Sequence, residues 1–227
     1  MTDDSALVVA DHVSRTYGRG PSAVVAVHGT SCRILAGEQI ALVGPSGSGK
    51  STLVHLLAGL DTPTNGVIRW PGLGGLPARL PAGSLGLVFQ GPSLLPDLDI
   101  AENVAFPLVL SGHPGPSARA AAVMMLRELD LADLADKVPG EISGGQAQRV
   151  VVARALVARP RLILADEPTG QLDHASAAIV VALLTDRAHE LNAGLLVTTH
   201  DPWVAAQLEI QWHMIDGRPR FSQAMVP

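Results

Sequence analysis

Apolar residues recur along this chain in two rhythms. Short, nearly unbroken runs predict strands: ALVVADHV (6–13), QIALVG (39–44), LGLVFQ (85–90), RLILADEP (161–168) and AGLLVTTHD (193–201), with a more mixed strand at GTSCRIL (29–35). Helical spacing marks Lys50 to about Ala58, a helical stretch from Ile100 to Pro139 that includes ARAAAVMMLRELDLADLA (118–135), a helix from the double Gly at 144–145 to about Ala158, and ASAAIVVALLTDRAHEL (175–191). A short helix is expected near 202–207, and a polar strand pair, EIQWHMIDG and RPRFS, follows it. Gly, Pro and Leu dominate 66–86, which reads mostly as loop and edge strand. Continuous apolar strands alternating with helices predict an α/β fold with a mainly parallel sheet covered on both faces.

Composition narrows this picture. The 227 residues can bury a substantial core in one large domain or two small ones, and 47% apolar content excludes a disordered chain. Only 3% of residues are aromatic, so Ala, Val, Leu and Ile must build that core. A net charge of −5 leaves no electrostatic footprint for nucleic acid, and no nucleic-acid partner is expected. Mean hydropathy is positive. Yet the longest apolar runs, AAIVVALL (177–184) and VAFPLVL (104–110), fall short of the roughly 20 residues a spanning helix needs. The start, MTDDSALVVADHV, is acidic and lacks the basic region of a signal peptide, so a soluble, cytosolic chain is expected. Cys32 is the single cysteine, which excludes an internal disulfide; it is expected to be a small buried apolar residue.

The chemistry concentrates in three motifs. GPSGSGKST (44–52) follows a strand, precedes a helix and fits the phosphate-loop pattern. Gly44, Gly47 and Gly49 would let the backbone of Gly44, Pro45, Ser46, Gly47, Ser48 and Gly49 wrap an anion at a helix N-terminus. Lys50 would reach the β- and γ-phosphates, Ser51 would complete the motif and ligate Mg²⁺, and Thr52 beside it is a further nucleotide-binding candidate. In RLILADEP, Asp166 falls at the carboxyl end of a strand, where ligands of open α/β sheets bind, and would hold the Mg²⁺ shell. Glu167 would orient or deprotonate an attacking water. The third motif, ISGGQ (142–146), is a second anion cradle without a lysine.

Together these motifs resemble the ATPase subunit of an ATP-binding-cassette transporter over almost the whole chain. The order of phosphate loop, Gln90, ISGGQ, ADEP, TGQLD (169–173) and His200 follows that family's pattern. The resemblance implies a phosphate-loop NTPase with an N-terminal antiparallel β subdomain and a helical subdomain bearing the signature. It implies one domain over 1–227, with about 1–90 and 159–227 as catalytic core and about 91–158 as the helical part. It implies ATP and Mg²⁺ as cofactors, with Tyr17 stacked on adenine and Lys50, Gln90, Glu167 and His200 as the catalytic set. Ser51, Gln90 and Asp166 would hold the metal. Ser143, Gly144, Gly145 and Gln146 would cap the γ-phosphate held by a second copy, with Asp173 at the same interface, in an ATP-dependent homodimer. A membrane permease would dock on 91–104, where Leu94, Leu95, Leu98 and Ile100 suit a groove, placing the chain in the cytoplasm on the inner face of the membrane.

VGPSGSGKSTLVHLLAGLDTPTNG, PDLDIAENV and LADEPTGQLD carry a closer similarity to the macrolide-export and lipoprotein-release type. Departures are a short 66–90 segment, Ala147 where a second Gln is usual, and Gln171 where Asn is common. A cassette ATPase acting on DNA or ribosomes, or a cell-division-type transmembrane signalling ATPase, remains the alternative. An unrelated phosphate-loop kinase or GTPase would leave ISGGQ, TGQLD and His200 unexplained.

Overall fold

A computed structural model describes residues 5–75, 81, 83–91, 93–170 and 172–221. In chain order the elements are β1 (Ala6–Tyr17), β2 (Val24–Leu35), β3 (Gln39–Val43), α1 (Lys50–Leu57), β4 (Asn65–Arg69) and β5 (Leu85–Val88). Three helices follow: α2 (Ile100–Leu110), α3 (Gly115–Glu128) and α4 (Gly144–Leu156). The chain continues through β6 (Leu162–Asp166), α5 (His174–Leu191), β7 (Gly194–Thr199), α6 (Pro202–Ala205), β8 (Ile210–Ile215) and β9 (Arg218–Phe221). One sheet has the order β5-β6-β7-β3-β8-β9, parallel throughout except for the β8–β9 pair. A second, antiparallel sheet has the order β2-β1-β4.

The pleat explains why the central strands are apolar at every position. Successive side chains point to opposite faces. Ile40 and Leu42 of β3, Leu162 and Leu164 of β6, and Leu196 of β7 pack with α1 and the antiparallel sheet. Their alternates Ala41, Ile163, Ala165, Leu195 and Val197 pack with α2, α4 and α5 on the other side. Both faces are dry, as parallel sheets require. The carboxyl ends of β3, β6 and β7 deliver the phosphate loop, Glu167 and His200 to one edge.

Several elements differ from the sequence expectation. β1 continues past Val13 to Tyr17, because register shifts against β2 around His12, at φ +50°, let pairing resume beyond a bulge. The edge strand expected in the Gly- and Pro-rich stretch is present as β4, paired along β1; residues 76–80 and 82 of that stretch lie outside the described residues. The expected 118–135 helix stops at Glu128, where Asp130 takes φ +55°. A 3₁₀ turn at Ala132–Leu134 carries the apolar spacing onward, so Leu131 and Leu134 are still buried. Cys32 is only partly buried, against the α1-side core, and burial pushes its thiol pKa up to about 12, an unreactive state.

Candidate functional site

The phosphate loop is held by close approach. Gly49, the residue before α1, adopts φ +100°, and a Cβ there would lie 2.2 Å from the Ala26 carbonyl of β2. A Cβ on Gly44 would lie 2.3 Å from the Met214 carbonyl of β8. Neither position admits a side chain, so the chain itself demands these glycines. Lys50 is 5% exposed, and its Nζ donates to the carbonyls of Gly44 (2.8 Å) and Pro45 (3.1 Å) across the loop. Tyr17, Ser46, Gly47, Gly49, Lys50, Ser51, Thr52, Gln90 and Glu167 line one cleft of about 310 Å³. The structure thus brings together residues from β1, the loop, α1, the end of β5 and the end of β6.

Asp166, buried at the end of β6, accepts a hydrogen bond at 2.6 Å from Thr198 Oγ1 of the adjacent β7. The same Thr198 oxygen accepts the Glu167 N–H at 2.9 Å. One threonine therefore sets both acidic residues, a role that the sequence reading missed. Only the strand register, which pairs Asp166 with Thr198, reveals it. Glu167 sits at φ +46°, in the left-handed region that a non-glycine residue rarely occupies. Its carboxylate lies 3.6 Å from Lys50 Nζ and 3.3 Å from His200 Nδ1. Glu167 is 16% exposed and His200 64%, so the carboxylate is inside the cleft and the imidazole at its rim. A carboxylate between a fixed cation and an imidazole can polarise a water that approaches a bound anion.

Ser143, Gly144, Gly145 and Gln146 are absent from that cleft lining, as is Asp173. Ser143 caps α4: its Oγ accepts from Gln146 N at 3.3 Å, and Gln146 Oε1 accepts from Ser143 N at 2.9 Å. Asp173 caps α5 through Ser176 N (2.9 Å) and Ser176 Oγ (2.8 Å), and these bonds from Ser176 hold its carboxyl below the usual carboxylate range. Gln171 lies outside the described residues. Ala147 is 7% exposed, buried on the core side of α4, where a longer amide would need room. Two further residues of α4 tie the signature helix to the strand end that bears Gln90. Gln148 Nε2 donates to Phe89 O at 3.2 Å, and Arg154 donates to Ser93 O and Oγ at 2.8 and 2.7 Å.

Beyond Gln90 the four expected groove residues separate. Ile100 is fully buried in the core and Leu94 packs partly against it, whereas Leu95 is exposed. Leu98 joins Ala105, Phe106 and Val109 in an apolar groove of about 570 Å³ rimmed by Glu102 and Arg119.

A family model described as "ABC transporter" matches residues 27–170. The "Lipoprotein-releasing system ATP-binding protein LolD" of Bordetella pertussis is 40% identical over 222 residues, covering 95% of this chain and 96% of that protein. Its counterpart in Bordetella avium is 42% identical over 226 residues, covering 96% and 98%. Among solved structures, the dimeric MJ0796, a bacterial ABC transporter cassette, superposes with a TM-score of 0.86 at 33% identity, over 95% of this chain and 99% of that one. The post-hydrolysis dimer of MJ0796 bound to ADP and Pi gives 0.85 at 33% identity, with the same coverage of 95% and 99%.

Proposed function

The chain belongs to the ABC transporter family as one of its ATPase subunits, and on that premise we propose that two copies close head to tail around two ATP molecules and drive a permease of the lipoprotein-releasing type. The observation that carries this reading is the Glu167 carboxylate held between Lys50 and His200 in the phosphate-loop cleft. The loop N–H groups and Lys50 would take the β- and γ-phosphates at the N-terminus of α1. Ser51, Gln90 and Asp166 offer a hydroxyl, an amide carbonyl and a carboxylate, hard oxygen donors that suit Mg²⁺. When bound there, Mg²⁺ would neutralise phosphate charge. Glu167 would orient and deprotonate the attacking water, and His200, tethered to it, would contact the γ-phosphate.

The signature supports a shared site. Among the described residues, a Cβ on Gly144 would meet nothing within 4 Å, and one on Gly145 only Leu172 Cδ2 at 3.5 Å. Their own chain does not require these glycines; close approach of another copy's nucleotide would. The helix N-terminus then supplies preorganised donors to that γ-phosphate, and Asp173 would sit at the same interface. Because ATP would bind both copies only in the closed pair, it shifts the equilibrium toward closure, and hydrolysis reverses the shift.

The division of labour that fits is about 1–90 and 159–227 as catalytic core and about 91–158 as helical lobe. The Leu98–Val109 groove, downstream of Gln90, suits an apolar permease segment. No helix among the described residues is long and apolar enough to cross a membrane, so docking on the permease would hold the chain at the inner face. The LolD relatives favour this membrane role over one on DNA or ribosomes. The test is Glu167→Gln with MgATP, followed by gel filtration with light scattering. A stable dimer is expected together with a loss of hydrolysis on the order of 10²–10⁴-fold. A variant that stays monomeric at saturating MgATP overturns the shared site.

A further inference from the structure

Tyr17 is the last residue of β1 and is 40% exposed, where an aromatic side chain would ordinarily sample several rotamers. Here it is fixed from two directions. Its hydroxyl donates to Asp61 Oδ2 at 2.8 Å, and the Arg15 guanidinium lies over its ring, 4.7 Å from the centroid. Arg15 Nη2 in turn pairs with Asp61 Oδ1 at 2.8 Å, closing a three-residue ring of contacts. Tyr17 lines the phosphate-loop cleft and Arg15 does not, and the guanidinium covers one face of the ring.

Asp61 is itself firmly held. Thr62 N donates to its Oδ1 at 2.7 Å, and its own N–H reaches the His55 carbonyl of α1 at 3.3 Å. Nearby, Thr64 N donates to Ser14 O at 2.7 Å and Thr16 N to Thr64 Oγ1 at 3.0 Å, clamping the end of β1 to the segment that leaves α1. Burial pushes the Asp61 carboxyl up, but the Tyr17 hydroxyl, the Thr62 N–H and the Arg15 charge outweigh it and hold the group ionised below the usual carboxylate range. The segment that leaves the phosphate-loop helix therefore carries the carboxylate that grips the aromatic ring.

We propose that Asp61 is a positioning residue for nucleobase binding: with Arg15 it locks Tyr17 into a one-faced stacking platform at a fixed distance from the phosphate loop. The inference rests on the reading that Tyr17 stacks on the base of the nucleotide. The hydroxyl of Tyr17 spends its one proton on Asp61, which fixes the ring by its far end. Stacking depends on ring area, which the two purines share and pyrimidines lack. A ring immobilised in advance loses less conformational freedom on binding, an advantage of about two- to tenfold in affinity.

The experiment measures equilibrium binding of MgATP, MgGTP, MgCTP and Mg-tripolyphosphate to the full chain and to Asp61→Ala, Asp61→Glu, Tyr17→Ala, Tyr17→Phe and the Asp61→Ala/Tyr17→Ala double variant, each checked by thermal unfolding. ATP and GTP are expected to bind about tenfold more tightly than CTP, through the larger purine ring. Asp61→Ala and Tyr17→Phe should weaken both purine nucleotides about three- to tenfold while leaving tripolyphosphate unchanged. Asp61→Glu should recover part of the loss, and the double variant should be no weaker than Tyr17→Ala alone. Equal weakening of tripolyphosphate by Asp61→Ala overturns the proposal, since Asp61 would then act through the loop. Unchanged ATP affinity in Asp61→Ala, where Tyr17→Ala does weaken it, also overturns the proposal but spares the stacking reading. Unchanged affinity in Tyr17→Ala removes both.

Discussion

Two Gly-rich helix N-termini in this molecule look alike in sequence and differ in what confines them. At the phosphate loop, Gly49 takes a left-handed backbone and packs so tightly on Ala26 that no side chain fits. At the signature, Gly144 and Gly145 lie outside the positive-φ set, and their missing side chains face open space apart from Leu172. The first cradle has no conventional side-chain cap and encloses a buried lysine, whereas the second is capped by its own Ser143 and Gln146 and has no cation. One is completed by its own chain. The other carries two glycines that its own chain does not require, which is the form expected of half a shared site.

Alanine at each cradle would break this contrast most directly. Gly49→Ala should introduce strain of about 2–3 kcal/mol and displace Lys50, lowering ATP affinity on the order of a hundredfold by calorimetry, with a clear fall in Tm. Gly144→Ala should behave in the opposite way. Removing a helical glycine gains up to about 1 kcal/mol, so Tm holds or rises and nucleotide binding to the single subunit is unchanged. Steady-state hydrolysis should nonetheless fall on the order of a hundredfold, because the added methyl obstructs the approach of the second copy. If Gly144→Ala instead lowered Tm as Gly49→Ala does, the contrast would collapse. Gln148→Ala addresses the bridge between the two regions and should have the smallest effect. Loss of one buried hydrogen bond to Phe89 costs about 1 kcal/mol, with a drop in hydrolysis below about tenfold as Gln90 loosens.

Those residues also mark where sequence reading stops. The phosphate loop was legible because strand, glycines, lysine and helix follow one another within fourteen positions, 39–52, and each obeys a local rule. The apolar alternates of β3, β6 and β7 were legible for the same reason. Thr198, Asp61, Gln148 and Arg154 were not, because each acts on a partner 32, 44, 59 or 61 residues away, brought near only by register or packing. The edge strand expected within 66–86 is β4, although its partner β1 could not be read from its Gly- and Pro-rich surroundings. The 118–135 segment kept its apolar period while changing helix type, which a periodicity argument cannot detect. The motifs were therefore open to local rules, and the residues that aim them were not.

The backbone of Glu167 has an evolutionary corollary. A glutamate in the left-handed region costs about 1–2 kcal/mol relative to a glycine in the same conformation, so the fold would be more comfortable without it. A population selected only for heat resistance, with no demand for turnover, should drift at position 167 toward Gly or Asn and gain stability as it loses hydrolysis. Under the proposed mechanism the carboxylate is what this position supplies, against the preference of its own main chain.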